Sequence, residues 1–311
     1  MNRFGLDETI DRSNGGIKSI VNSGWLGASF AHIKKKGLLN MMRKLVLIVV
    51  GLMTGVAMGS ESFTFASWNI GHYALGKDWK TAVKPEEAEE KACAYRKLLD
   101  EVGANFLGVC EYFDSFTTAS ERRADTSVFG RYAHRVIGPQ REWQWNAQFW
   151  NGEAASGSRW QTYVKHLQSV YYIATRVKVG GEDVMFVQTH LDWAKFKGHE
   201  DDRASQMREL IAEFKDERYV VIAGDFNVGV RFFEDRTKKT LDDPSEYKVF
   251  EKAGFTLGND GRFKTAPAGD SYLSLDNIIV KGLEITDFRV WDCPELSDHA
   301  LVSAKITLKI K

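Results

Sequence analysis

The chain has 311 residues, 43% hydrophobic and 12% aromatic, which is enough apolar material for one large domain or two small ones. Lys+Arg and Asp+Glu both number 42, but the first 59 residues carry eight basic and three acidic side chains, so the remainder holds 34 basic against 39 acidic, a net charge of −5. A domain of that sign lacks the overall basic field of duplex-coating proteins; this weakens a nucleic-acid reading without excluding phosphate binding through a metal and a local patch.

Arg43 and Lys44 precede an apolar run from Leu45 to Gly59, 15 residues long and short of the ~20 that span a bilayer. The run ends in Ala57-Met58-Gly59, small residues at the spacing a signal peptidase reads. The expectation is an export signal over 41–59 starting at the Met41-Met42 pair, with 1–40 an untranslated or disordered extension. Residues 60–311 then form one periplasmic or extracellular domain. The alternatives are a short membrane anchor or a buried core helix; the polar Ser60-Glu61-Ser62 and the strand pattern that follow favour export. Cys93, Cys110 and Cys293 allow one disulfide and one free thiol and fit no zinc motif.

Phe63, Phe65 and Ser67 alternate with Thr64, Ala66 and Trp68, predicting a strand that ends at Asn69. From Pro85 to Val102 the apolar period becomes helical, and Gly103 stops the helix. Its acidic cluster Glu86, Glu87, Glu89 and Glu90 reads as a solvated face near the helix N-terminus. Phe106 to Cys110 is a short buried strand leading into Glu111, with Cys110 read as a small buried hydrophobe. Gln168–Val177 and Val184–Thr189 predict a hairpin across Gly180-Gly181. A helix of about four turns with Ala204, Met207, Leu210, Ile211 and Phe214 on one face follows. Tyr219–Ala223 is an apolar strand, Asp243-Pro244 opens a short helix through Ala253, and Tyr272–Val280, Ile285–Trp291 and Ala300–Ile310 are further strands. Hairpins mixed with helical crossovers predict two mixed sheets packed face to face with helices outside, a four-layer α/β/β/α sandwich.

Several apolar strands run straight into a polar group able to bind metal or move a proton. These are Asn69 in Trp68-Asn69-Ile70, Glu111 after Val109-Cys110, His190 in Gln188-Thr189-His190-Leu191, Asp225 and Asn227 in Gly224-Asp225-Phe226-Asn227, and Asp298-His299. Asp276 lies within Ser274-Leu275-Asp276-Asn277-Ile278. Taken singly, each has a structural explanation: an Asx-turn, a loop cap, a satisfied core histidine. As an ordered set they resemble the endonuclease/exonuclease/phosphatase superfamily over nearly the whole of 60–311, with Gly-Asp-Phe-Asn and Ser-Asp-His the most specific parts.

The resemblance implies the same four-layer fold and a hydrolase of phosphate esters dependent on Mg²⁺ or Mn²⁺, hard cations that prefer carboxylate and amide oxygens. It implies Glu111 as principal metal ligand, with Asn69 beside it and Asp298 adding an oxygen. It implies His299 as the base that activates water, His190 as donor to the phosphate or leaving oxygen with Asp276 as its carboxylate, and Asp225 and Asn227 as positioning groups. No His-Glu-x-x-His zinc motif or Gly-x-Ser-x-Gly elbow is present. Three readings stay open: a phosphodiesterase or phosphatase on small or lipid-linked phosphates, a secreted nuclease, and an inactive fold used as a binding module. No stable protein partner is implied, and a monomer is expected. Residues 112–167 depart from the family pattern and carry Trp143, Trp145, Phe149, Trp150 and Trp160 beside Arg141 and Arg159. These read as local core, with base stacking or a lipid interface as alternatives, and Asn146 is a candidate phosphate contact. Arg203 and Gln206 read as packing or salt-link residues.

Overall fold

A computed structural model of the chain describes residues 60–71, 85–112, 128–139, 145–166, 170–192, 202–227, 232–233, 247–268 and 271–309. The export segment expected over 41–59 and the extension before it lie outside the described residues. In chain order the strands are β1 (Ser60–Asn69), β2 (Phe106–Cys110), β3 (His134–Ile137), β4 (Asn146–Trp150), β5 (Gly157–Thr162), β6 (Tyr171–Val179), β7 (Glu182–His190) and β8 (Val220–Asp225). They continue with β9 (Phe232–Phe233), β10 (Thr256–Leu257), β11 (Ala266–Ala268), β12 (Ser271–Leu273), β13 (Asp276–Lys281), β14 (Glu284–Trp291) and β15 (Leu301–Lys309). The described helices are α1 (Pro85–Val102), α2 (Asp202–Phe214) and α3 (Lys248–Lys252).

Two six-stranded mixed sheets result, ordered β14-β15-β1-β2-β4-β3 and β10-β13-β8-β7-β6-β5, with a small third sheet of β11, β12 and β9. Phe63, Phe65 and Phe106 from the first sheet meet Phe186, Val221 and Ile278 from the second, and the Phe106 and Phe186 rings stack with centroids 4.0 Å apart. On the outer face of the first sheet, Tyr95 and Leu99 of α1 pack on Trp68, Leu107 and Phe149. Outside the second, Met207, Leu210 and Phe214 of α2 and Phe250 of α3 cover Tyr172, Val187 and Ile222. This is the α/β/β/α sandwich expected from the strand and helix pattern.

The β6–β7 hairpin turns at Gly180 and Gly181, whose φ of 58° and 84° suit a type I′ turn. One expectation needs correcting: Tyr272–Val280 is not a single strand. Its first part is β12 in the small sheet, and the chain passes into β13 at Ser274-Leu275, where the Leu275 carbonyl accepts the Phe226 N–H at 3.0 Å. The described short helix begins only at Lys248, and Asp243-Pro244 fall outside the described residues. The disulfide allowed by composition is absent: Cys93, Cys110 and Cys293 are all free, the last two buried. Residues 112–167 contain β3, β4 and β5. Trp145, Phe149 and Trp150 are buried as the local-core reading expects, while Trp160 is 47% exposed and Arg159 pairs with Glu213.

Candidate active site

Parallel pairing of β1 with β2, and of β7 with β8, brings C-terminal strand ends to one edge of the sandwich. Register sets Asn69 beside Cys110 and His190 beside Asp225; antiparallel β13 sets Asp276 beside Asp225. Residues in register share a face, so His190, Asp225 and Asp276 form one row on the inner face of the second sheet. Asn69 of the first sheet faces that row, its Nδ2 donating to Asp225 Oδ2 at 3.1 Å. Gly224 makes the row possible. Its φ is 143°, and a Cβ there would lie 1.7 Å from the Thr189 carbonyl oxygen.

Asp225 Oδ2 lies 3.4 Å from His190 Nε2 and 3.7 Å from His299 Nε2, a carboxylate between two imidazoles. The other nitrogen of His299, Nδ1, is 2.9 Å from Asp276 Oδ2. Asp276 thus pairs with His299, whereas the resemblance had assigned it to His190. Glu111 leaves β2 at φ 51° and its Oε1 accepts from Asn69 Nδ2 at 3.1 Å, 4.0 Å from His190 Nδ1. Its side chain is 21% exposed against 2% for Asp225, so it is the carboxylate of the cluster open to the mouth. Asn227, also at φ 51°, donates its N–H to Asp225 Oδ1 at 2.8 Å and its Nδ2 to the Leu191 carbonyl at 2.7 Å. The Asx-turn that Asp-Phe-Asn suggests is therefore present and holds the Asp225 carboxylate. Buried Asn146 spends its Nδ2 on the Tyr171 carbonyl at 2.8 Å, between the sheets.

The Trp-Asn and Ser-Asp-His motifs interlock. Trp68 Nε1 donates to the His299 carbonyl at 3.0 Å, Ser297 Oγ donates to the Asn69 carbonyl at 2.7 Å, and the His299 N–H donates to Ser297 Oγ at 3.1 Å. From α1, Tyr95 packs its ring at a tilt against Trp68 and donates its hydroxyl to the Leu296 carbonyl. Behind the second sheet, α2 ties down the loops after β5, β7 and β8. Gln206 Nε2 donates to Asp192 Oδ2 at 2.6 Å and to the Lys165 carbonyl at 2.9 Å, and Arg203 Nη1 donates to the Asn227 carbonyl. The sequence marks Arg203 and Gln206 only as packing or salt-link residues; their hold on Asn227 and Asp192 is visible in the structure alone.

Burial lowers the His299 pKa, but Asp276, Asp225 and Asp298 outweigh it and push it up to about 10. Burial raises Asp276 above its ordinary value against the opposing charge of His299. In Asp225 burial acts the same way, but His190, His299 and the donors from Asn227 and Asn69 prevail and hold it below the usual carboxylate range. Asp298 is exposed, with Oδ1 3.5 Å from Ser297 Oγ.

The donor chemistry fits a hard divalent cation. Ligand atoms of Asp225, Asp276 and His299 lie within 4.8 Å of one another. Two of them, however, already share a hydrogen bond, which makes that trio a proton-handling set. Glu111, at the accessible side, offers the carboxylate oxygens such an ion prefers. Asn69 turns its NH₂ toward these carboxylates while Oδ1 accepts the Gly71 N–H at 3.0 Å, so it presents a donor to the cluster where the resemblance implies a ligand oxygen.

A search of curated protein sequences finds no significant match. Among solved structures, D. rerio TDP2 complexed with a single strand DNA product is similar at TM-score 0.58 and 15% identity, over 79% of this chain and 98% of that one. The endonuclease/exonuclease/phosphatase from Bacteroides vulgatus gives 0.58 and 17%, over 79% and 99%. The human Nocturnin catalytic domain with bound sulfate gives 0.57 and 18%, over 79% and 94%. Residues 66–299 match the profile of the Endonuclease/Exonuclease/phosphatase family, a span that takes in every strand-end residue from Asn69 to His299. The chain therefore belongs to the endonuclease/exonuclease/phosphatase family and is a metal-dependent hydrolase of phosphate esters.

Proposed function

We propose that the chain is an exported phosphodiesterase that hydrolyses its substrate by direct attack of water. The observation that carries this reading is the buried Asp225 carboxylate flanked by two imidazoles, one paired with Asp276 and the other beside Glu111. Cleaving a diester needs a proton removed from water and one returned to a poor alkoxide leaving group, and two imidazoles sharing one carboxylate can serve both ends.

His299 Nε2 takes the proton of the attacking water while Asp276 holds the other ring nitrogen and stabilises the imidazolium. The water oxygen bonds to phosphorus, the phosphorus–oxygen bond to the alcohol breaks, and His190 delivers a proton to the departing oxygen. His190 Nδ1 is buried with no hydrogen-bond partner among the described residues, an unspent polar atom at the site. Asp225 fixes both rings, and Asn227 fixes Asp225. Glu111 would hold the divalent cation, with Asp225 behind it. Bound there, Mg²⁺ or Mn²⁺ supplies positive charge that polarises the phosphoryl oxygens and offsets the carboxylate field retaining the His299 proton. Export rests on the segment 41–59, and the mature chain is expected to begin near Ser60.

The test is hydrolysis of bis-(p-nitrophenyl) phosphate and p-nitrophenyl phosphate by residues 60–311 with Mg²⁺, Mn²⁺ or chelator. Metal-dependent release from the diester supports the proposal. Release mainly from the monoester replaces it with a phosphatase, and no release from either favours the binding-module reading. A nuclease is the second reading, because D. rerio TDP2, of the same fold, is described in complex with a single strand DNA product. Activity on long polymers that collapses as salt rises would favour it, since polymer binding is strongly salt-dependent. N-terminal sequencing of exported protein tests the cleavage site.

A further inference from the structure

The Asp276–His299 pair bridges the two sheets. Asp276 heads β13 in the second sheet, and His299 stands just before β15 in the first. A single 2.9 Å hydrogen bond joins them. Besides Asp225, Thr265 touches both sides of this junction; it is 2% exposed and stands just ahead of β11. Its Oγ1 accepts the N–H groups of Leu275 and Asp276, each at 3.0 Å, which fixes the first residue of β13. Its carbonyl accepts the N–H of Ala300, next to His299, at 2.7 Å. Its own N–H donates to the Leu273 carbonyl at 2.8 Å, anchoring it to the end of β12.

We propose that Thr265 is a positioning residue for proton transfer at this site: its hydroxyl sets the Asp276 backbone and its carbonyl sets the His299 backbone, so that carboxylate and imidazole meet in register across the gap between the sheets. The inference rests on the reading of His299 and Asp276 as the proton-accepting pair. A hydroxyl suits this place because one oxygen can accept from two adjacent N–H groups. Valine has the same shape and accepts from neither; the buried N–H groups of Leu275 and Asp276 would then draw the head of β13 away in search of partners. Misplacement of a catalytic group by about an ångström costs on the order of a hundredfold in rate.

The experiment measures kcat and KM on bis-(p-nitrophenyl) phosphate with Mn²⁺, together with thermal unfolding, for wild type, T265S, T265V, H299A and T265V/H299A. The expected result is T265S within about threefold of wild type and T265V down roughly 10- to 100-fold in kcat with KM within about twofold. T265V/H299A should be no slower than H299A, because Thr265 acts only through the pair. Wild-type kcat in T265V overturns the proposal, as does a T265V loss repeated in full on the H299A background, or equal losses in T265S and T265V. If T265V does not fold, T265C, of similar size with a poorer acceptor, is put through the same cycle. H299A at wild-type rates would instead overturn the assignment of the pair itself.

Discussion

Gly224→Ala is a small substitution with a large structural consequence. At φ 143° an L-residue sits in a region essentially reserved for glycine, at a cost of about 1–3 kcal/mol. The added Cβ would also lie 1.7 Å from the Thr189 carbonyl oxygen and 2.8 Å from the carbonyl carbon, both backbone atoms. β7 and β8 must therefore part by about an ångström or more, weakening two ladder hydrogen bonds at about 1 kcal/mol each. The combined loss is about 3–5 kcal/mol, which lowers Tm by roughly 6–20 °C for a domain of this size. Because the next residue in register is Asp225 opposite His190, activity should fall further than stability. Thermal unfolding followed by circular dichroism, with turnover measured well below Tm, checks both. A Tm within about 3 °C of wild type, with full turnover, would refute the steric account.

Glu111→Ala should cost at least about a hundredfold in kcat while leaving the fold intact, since the carboxylate is at the accessible mouth and its loss removes charge stabilisation rather than packing; near wild-type turnover would remove its assignment as ligand. In metal-free protein the raised pKa of His299, about 10 against 6.5 unfolded, gives stability that is complete below pH 6.5 and drains away as pH rises toward 10. Tm should therefore decline between pH 6.5 and 9, and Asp276→Asn, which removes the strongest raising charge, should flatten the decline; a level wild-type profile would contradict the geometry. Cys93, exposed, should take a single iodoacetamide adduct in native protein at pH 8. Cys110 and Cys293 should not react, because burial raises both thiols, Cys293 to about 12, and modification of either before unfolding would show the core to be looser than described. Arg203→Met should lower kcat through Asn227, with Asn227→Ala masking the effect; additive losses would mean Arg203 acts on the fold generally.

The layers were legible because long apolar runs such as Tyr219–Ala223 and the helical faces of α1 and α2 carry their period openly. The strands of the middle third were not. β5 is exposed along nearly its whole length, so no alternation marks it, while β4 is buried on both faces and its polar Asn146 and Gln148 break the apolar run that would mark a buried strand. Gln148 in fact bridges the sheets, accepting from Thr175 Oγ1 and donating to the Phe186 carbonyl. The break between β12 and β13 was hidden because Leu275 is as apolar as a strand residue and only its tertiary partners divert it. At the site, residue types were readable and partners were not. Nothing local tells that Asp276 faces His299 rather than His190, or that Asn69 offers its NH₂, since each depends on how two sheets meet. Thr265 carried no signal at all, being one threonine among many.

Because Asn69 pairs with Cys110, and His190 and Asp276 with Asp225, catalytic alignment here is a matter of counting. Slipping β8 by one residue against β7 would carry the Asp225 side chain from the space between the sheets to the helix-covered face, where Phe226 now lies. Such a species could keep most of its hydrogen bonds and still be silent. Turnover is thus a reporter of correct strand counting, and single-residue insertions should be tolerated in connections away from Glu111, Asn227, Thr265 and His299 yet silence the protein when placed within β1, β7, β8 or β13.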